Sequence, residues 1–215
     1  MSRSVLQRRR RSATGRRRLS AGFGALWLAA CLLPAGARLA GAEGGLPQRL
    51  VLDPAASQVG FVLGATLHSV KGSFRVDSGV IGFDPDAGAA NGRVVVDARS
   101  ADTSSDGRDR KMHRDVLESE RFPEIVFLPE RLAVARRTPD EADVEISGTV
   151  EIHGVREPLS IPATLRREGD RVRIQGRFSV PYVEWGMRDY SNFVLRVAPS
   201  VDVSLDLAGR LEISP

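Results

Sequence analysis

Three histidines, one cysteine and a short run of mixed charges are the groups in this chain best suited to chemistry, and their spacing limits what each can do. His68, His113 and His153 fall in a loop, a helical stretch and a turn, with no ligand-type spacing for a metal or a haem. Asp109 and His113 are four residues apart and can share a hydrogen bond on one helix face. The surrounding run from Arg108 to Arg114 reads as a solvated charged surface. The Gly-x-Ser-x-Gly elbow of a serine hydrolase does not occur. Cys31 is the only cysteine and lies near the N-terminus, so the chain beyond it has no disulfide, thiol nucleophile or thiolate metal site. No catalytic residue, metal ligand or cofactor is assigned on these grounds.

Binding residues are easier to find. Tyr182, Trp185, Arg188, Tyr190 and Phe193 crowd the segment from Pro181 to Pro199, which is too long for a hairpin turn. Connections of this length often act as lids. Trp185 can cover an apolar ligand while Arg188 meets an anionic or quinone head. Equally, Trp185 can plug the end of the fold while Arg188 pairs with Asp189.

The elements that must position these residues are strands. Val144, Ile146, Gly148, Val150 and Ile152 alternate with Glu145, Ser147, Thr149 and Glu151, the period of a strand with one apolar face. Leu159 to Leu165, Val172 to Val180 and Val201 to Ile213 repeat the pattern, and shorter runs occupy Val59 to Leu63, Val70 to Val76, Val80 to Phe83 and Arg93 to Ala98. Asn91-Gly92, His153-Gly154 and Glu168-Gly169-Asp170 are turn signals that connect antiparallel neighbours. Only one stretch breaks the alternation. A capping cluster at Asp102 to Asp106 precedes Met112, Val116 and Leu117, which predicts one short helix with a narrow apolar stripe against the sheet. Eight to ten such strands fit a closed barrel or a two-sheet sandwich alike. In a barrel the inward faces belong to Val59, Phe61, Leu63 and Phe74 in the first half. In the second half they belong to Ile146, Val150, Ile161, Ile174, Phe178, Val203 and Leu205. Such faces suit a narrow apolar bore and a packed core equally well.

Charge narrows the partners. The formal net charge of the 215-residue chain is +4, but nine of its 31 Lys and Arg precede residue 43 and none of its 27 Asp and Glu does. Beyond that point 22 basic residues face 27 acidic ones, a net charge of −5, with no basic face for a polyphosphate. Nucleic acid is set aside. Residues 1–42 read instead as an export signal: basic Arg8 to Arg11 and Arg16 to Arg18, an uncharged run from Leu19 to Ala37, and an Ala40-Gly41-Ala42 cleavage site. Leu28-Ala29-Ala30-Cys31 has the form of a lipobox, but Leu32 and Leu33 continue the apolar run past it and favour a cysteine discarded with the leader over an acylated one. Arg17-Arg18-Leu19 permits a twin-arginine route, and the uncharged run is about the lower limit for an uncleaved span. Every version exports a domain of residues 43–215.

Several stretches together resemble the YceI-like polyisoprenoid-binding proteins of the bacterial periplasm. They are Val59-Gly60-Phe61, Val70 to Phe74 with Ser78 to Asp84, Arg108-Asp109 to Met112, Asp115-Val116-Leu117, Glu120 to Phe127, and Ile152 to Leu159. They span about Leu50 to Ile213 in family order, and the helix with Phe122-Pro123 is the most specific. The resemblance implies an all-β fold, a lipocalin-like antiparallel eight-stranded barrel with one short α-helix. It further implies a polyprenyl chain or isoprenoid quinone held in the interior without catalysis. The partner is then an apolar membrane-derived lipid, collected through transient membrane contact. Two stretches depart from the family: Val180 to Met187, where a Ser-Asp-Phe-Gly segment is usual, and Arg156-Glu157, where a Thr and a basic residue usually precede Pro158. The alternative to a lipid carrier is a structural or interaction domain with a filled core.

Overall fold

The structure is a computed structural model that describes residues 48–213 apart from 67, 85 and 192–195. The leader expected at residues 1–42, with Cys31, and the mouth residue Phe193 lie outside the described residues.

Alternating faces give nine strand segments. β1 (Gln48–Leu52) and β2 (Gln58–Leu63) flank a 3-10 turn at Pro54–Ala56, and β3 (Val70–Asp84) and β4 (Ala89–Asp102) form a long hairpin. After a helical connection come β5 (Glu124–Arg137), β6 (Glu141–Ile152), β7 (Val155–Glu168), β8 (Arg171–Val180) and β9 (Val201–Ile213). β1 and β2 each pair with β3 on one side and β9 on the other, so they are two halves of one strand position broken at the turn. Ser57 clips that break to β9, its hydroxyl donating to the Ala208 carbonyl at 3.2 Å and accepting from the Ala208 amide at 3.0 Å. With the halves counted once, antiparallel pairing runs through eight positions and returns to its start, a closed barrel rather than a sandwich. Closure leaves no sheet edge to cover.

β1 is absent from the sequence reading, and β3 and β5 differ from it for one shared reason. Val70 to Val76 and Val80 to Phe83 are a single strand, β3, with an extra residue where Val76 and Ser78 oppose Val96 and Val95. A bulge shifts period-two parity by one: the apolar residues sit at even numbers through Val76 and at odd numbers from Ile81. β5 escapes the alternation altogether because bulges at Pro129/Arg131 and Val134/Arg136 reset its parity, and Pro129 is tolerated at the first of them. The predicted helix is present as α1 (Asp106–Lys111), and it continues into a π-helical turn at Met112–Val116, where the Leu117 amide donates to the Met112 carbonyl at 2.9 Å.

The long connections share one end, where the β2–β3, β4–β5 and β8–β9 connections lie together with the 153–154 turn. At the other, short links such as the turns at 138–140 and 169–170 close the hairpins. The interior is divided in the same sense. Leu50, Leu52, Leu132, Val144, Ala163 and Val172 pack the tight-turn end, and a second cluster of Ala101, Leu117, Val150, Tyr182, Trp185 and Met187 gathers at the other.

Gly148 lies where β5 bends across β6: a Cβ there would sit 2.1 Å from the Leu128 carbonyl oxygen and 2.9 Å from the Pro129 Cα. Both obstacles are backbone, so Gly148→Ala is expected to cost about 1–3 kcal/mol, read as a lower urea midpoint. Gly107, in α1, faces open space. Gly107→Ala should raise the midpoint, by about 0.4–1 kcal/mol. Equal midpoints for both variants would contradict this account of the bend.

Candidate functional site

The inward residues of the long-loop half do not fill it. They line a cavity of about 560 Å³, within the range of roughly 300–1,000 Å³ usual for small-molecule sites. All eleven residues assigned to a barrel interior lie on its wall. Val59, Phe61, Leu63 and Phe74 come from β2 and β3, Ile146, Val150 and Ile161 from β6 and β7, and Ile174, Phe178, Val203 and Leu205 from β8 and β9. The Phe61 and Phe74 rings meet at 5.2 Å, and Phe61 covers Gly72, its partner across the strands, where any Cβ would collide with the ring. Among the described residues the wall carries no carboxylate, and its polar members cluster at the mouth: Thr103, Arg108, Lys111, Arg188, Tyr190 and His68.

One side of the mouth is built by α1 and the π-turn. Met112, Val116 and Leu117 line the cavity as the helical stripe predicts. Ser105 makes no side-chain cap, and the Asp109 carboxylate takes that role from within the helix. It accepts from the Thr103 hydroxyl, the Thr103 amide at 3.1 Å and the Ser105 amide at 3.3 Å. Burial works to raise the Asp109 pKa, but these bonds and the Arg108 charge outweigh it and hold the carboxyl below its usual range. Arg108 is pinned in turn, donating from Nε to the Thr103 hydroxyl at 2.7 Å and from Nη2 to the Thr103 carbonyl at 2.8 Å.

His113 does not meet Asp109. Its Nε2 donates to the Ala101 carbonyl at 2.9 Å, and its Nδ1 shares a hydrogen bond with the buried Ser119 hydroxyl, also at 2.9 Å. The pair ties the π-turn to β4, and neither residue reaches the cavity wall. The His153 ring packs tilted against Phe122, centroids 4.9 Å apart, and its Nε2 lies 3.1 Å from Glu118, fastening the β6–β7 turn to the same connection. The three histidines stay apart, and no group of three or more His, Cys, Asp or Glu converges among the described residues.

The opposite side is the segment after β8. Pro181 to Met187 folds into a compact turn, with the Met187 amide donating to the Tyr182 carbonyl at 3.1 Å and Gly186 at φ +83°. Tyr182, Trp185 and Met187 are buried there and form the cavity's roof. Trp185 therefore both plugs the barrel end and faces the cavity, so the two sequence readings of it describe one position. Arg188 is not paired with Asp189: its guanidinium lies 5.3 Å from the Tyr190 ring, and Asp189 accepts from the Ser191 amide at 2.7 Å. The Tyr190 hydroxyl donates to Asp115, which Arg114 also grips through two bonds of 2.8 Å. Those bonds, Arg114 first and Tyr190 second, hold the Asp115 carboxyl well below the usual range. Farther along, Thr66 joins Arg196 and Ala65 bridges Val197, so the returning chain is sewn to the β2–β3 loop.

Sequence reasoning missed Phe127, Ile125, Met187, Arg108 and Lys111 as wall residues. Phe127 and Ile125 were hidden by the irregular parity of β5. The helix stripe placed Met112 and Val116, and the basic residues Arg108 and Lys111 lie on the cavity side with them. Met187 carried no signal of its own.

Residues 50–209 match the family model described as YceI-like domain. A UPF0312 protein of Pseudomonas putida (strain W619) is 28% identical over 156 residues, covering 68% of this chain and 73% of that protein. A UPF0312 protein of Pseudomonas syringae pv. tomato is 27% identical over 103 residues, 46% of this chain and 51% of the relative. Among solved structures, Burkholderia cenocepacia BcnA superposes with a TM-score of 0.61 at 19% identity, covering 73% of this chain and 98% of BcnA. A polyisoprenoid binding domain from Saccharophagus degradans, implicated in plant cell wall breakdown, gives 0.59 at 21% identity, covering 78% and 99%. At these identities the structural likeness speaks for the fold alone.

The Asp115 anchor sets a pH dependence. A depressed carboxylate contributes stability that is present above the unfolded value, about 3.9, and is lost only as pH falls through the lower folded value. The mouth of the full chain should therefore stay closed from neutral pH to about pH 4, with amide protection factors at residues 112–117 and 187–191 unchanged, and loosen only in stronger acid. Asp115→Asn, which loses the charge that Arg114 and Tyr190 share, should loosen the same amides already at neutral pH. Loosening of the unaltered protein with a midpoint above about pH 5 would count against this anchor.

Proposed function

The chain belongs to the YceI-like domain family, and on that premise we propose that it binds an apolar isoprenoid-type lipid, a polyprenyl chain or an isoprenoid quinone, and makes or breaks no bond in it. The observation that carries the reading is the apolar cavity of about 560 Å³, open at the end where the long connections lie. The named ligand class of the Saccharophagus degradans domain, which shares this fold, supports the choice of isoprenoid. In this reading Val59, Phe61, Leu63, Phe74, Ile146, Val150, Ile161, Ile174, Phe178, Val203 and Leu205 hold the tail. Tyr182, Trp185, Arg188 and Tyr190 frame the head. The hydroxyl hydrogens of Thr103 and Tyr190 are given to Asp109 and Asp115, so the mouth offers a ligand the cations and N–H donors of Arg108, Lys111 and Arg188. They favour a head that accepts hydrogen bonds, an anion or a quinone carbonyl. A filled-core structural domain does not account for a hollow half.

Energetics make the protein a reversible carrier or sink. Each methylene taken from water is worth about 0.8 kcal/mol, but the lipid comes from a bilayer that is already apolar. Extraction is then near neutral, and fit in the bore and contacts at the mouth decide occupancy. The basic, then uncharged, character of residues 1–42 supports work outside the cytoplasm, in the periplasm, with transient membrane contact to collect the lipid.

Mass spectrometry of the protein purified from cells should find an isoprenoid or isoprenoid quinone, and lipid-stripped protein should take up quinone from labelled vesicles. Val203→Trp, which thrusts a large ring into the bore beside Phe61 and Phe178, should cut that uptake at least about tenfold while leaving the strand content unchanged. Absence of any co-purified isoprenoid together with absence of vesicle exchange would sink the proposal.

A further inference from the structure

We infer that the barrel measures the apolar chain it accepts, using a stiff floor across its middle as the stop; the inference rests on the reading that the bore holds such a chain. The cavity ends at a common level from strand to strand. Moving inward from the mouth along β6, Ile152, Val150 and Ile146 lie on the wall, and the next inward residue, Val144, does not. On β8 the last wall residue is Ile174, with Val172 beyond it; on β7 it is Ile161, with Ala163 beyond. Register sets Ile146 opposite Ile161 and Ile174 opposite Leu207, the second pair offset from the first by the β7–β8 stagger in which Leu165 faces Ile174, and Ile81 and Val94 complete the ring.

Three properties make this ring a stop rather than the narrow part of a channel. All six side chains are buried, between 3% and 8% exposed, and five of them join one packed cluster with Leu50, Leu132, Val144 and Val172 beyond. Close-packed interior offers no room for displaced atoms. Five of the six are β-branched, with restricted χ1, on strands paired on both sides, so they cannot swing aside as methionine would. Among the described residues no polar side chain lines the cavity at this level, so the floor reads the length of a tail and not the chemistry of its end. Six residue steps separate Ile146 from Ile152, about 20 Å along the strand and about 15 Å along the axis of a barrel of ordinary tilt. A longer tail must double back or protrude through the mouth.

The test is calorimetric titration of the lipid-stripped full chain with saturated fatty acids from octanoate to stearate, each below its micelle concentration, with geraniol and farnesol in parallel. Affinity should rise roughly fourfold per methylene and then stop rising at the chain length that reaches the floor. Ile146→Ala should move the break to a longer chain, the first acid past the original break gaining roughly fourfold. Ile146→Phe should move it to a shorter one. A steady climb through stearate in the unaltered protein overturns the inference without recourse to any variant, and so does a break that stays in place in whichever variant folds. If neither the acids nor the prenols bind at all, what fails is the apolar-chain reading itself.

Discussion

The unbroken ring of backbone hydrogen bonds is the constraint on which the rest of this structure depends. Because β1 and β2 together close the gap between β3 and β9, every strand is paired on both sides, and the chain needs no second sheet or helix layer to shield an edge. Closure also forces each strand to commit one face inward. With the backbone satisfied in the ring, the interior can be apolar throughout and does not have to be full. A sandwich of the same strands would bring its two inner faces into contact along their whole length and leave no comparable space.

What fills the interior is decided by which end the connections occupy. Tight turns let the strands converge on Leu50, Leu132, Val144 and Val172, which pack as an ordinary core and carry stability. The long connections roof the other end instead of filling it. Trp185, Met187 and Tyr182 arrive from one side and Met112, Val116 and Leu117 from the other, leaving the space between them open. Each side is held by polar contacts outside the wall, Asp109 with Thr103 and Arg108 on the helix, and Asp115 with Arg114 and Tyr190 between helix and loop. The division of labour is physical: a cavity removes dispersion contacts, so the stability it forgoes has to be supplied by a packed half and a clasped mouth.

Legibility in the sequence followed parity. β6, β7, β8 and β9 run without bulges where they alternate, and their inward residues Ile146, Val150, Ile161, Ile174, Phe178, Val203 and Leu205 could be read directly. β3 was read as two pieces and β5 not at all, because one inserted residue reverses which face every later side chain occupies, and the five-residue β1 was too short to show a pattern. Asp109 and His113 show the same limit in a helix. Their spacing permits a mutual bond, but Thr103 and Ser119, close only once the connection folds, offer each a better partner.

The sequence by itself determined that this is an all-β domain with one short helix, and which residues face inward on the regular strands, because period-two alternation is a local property of the chain. It also showed that the basic charge belongs to residues 1–42. Tertiary structure alone decided that the inward faces enclose a half-empty bore, that Trp185 is both plug and wall, and that Arg108 and Lys111 join the mouth. Whether apolar side chains meet or leave a gap depends on the separation of facing strands, and that distance is set by how the ring closes and where the connections lie.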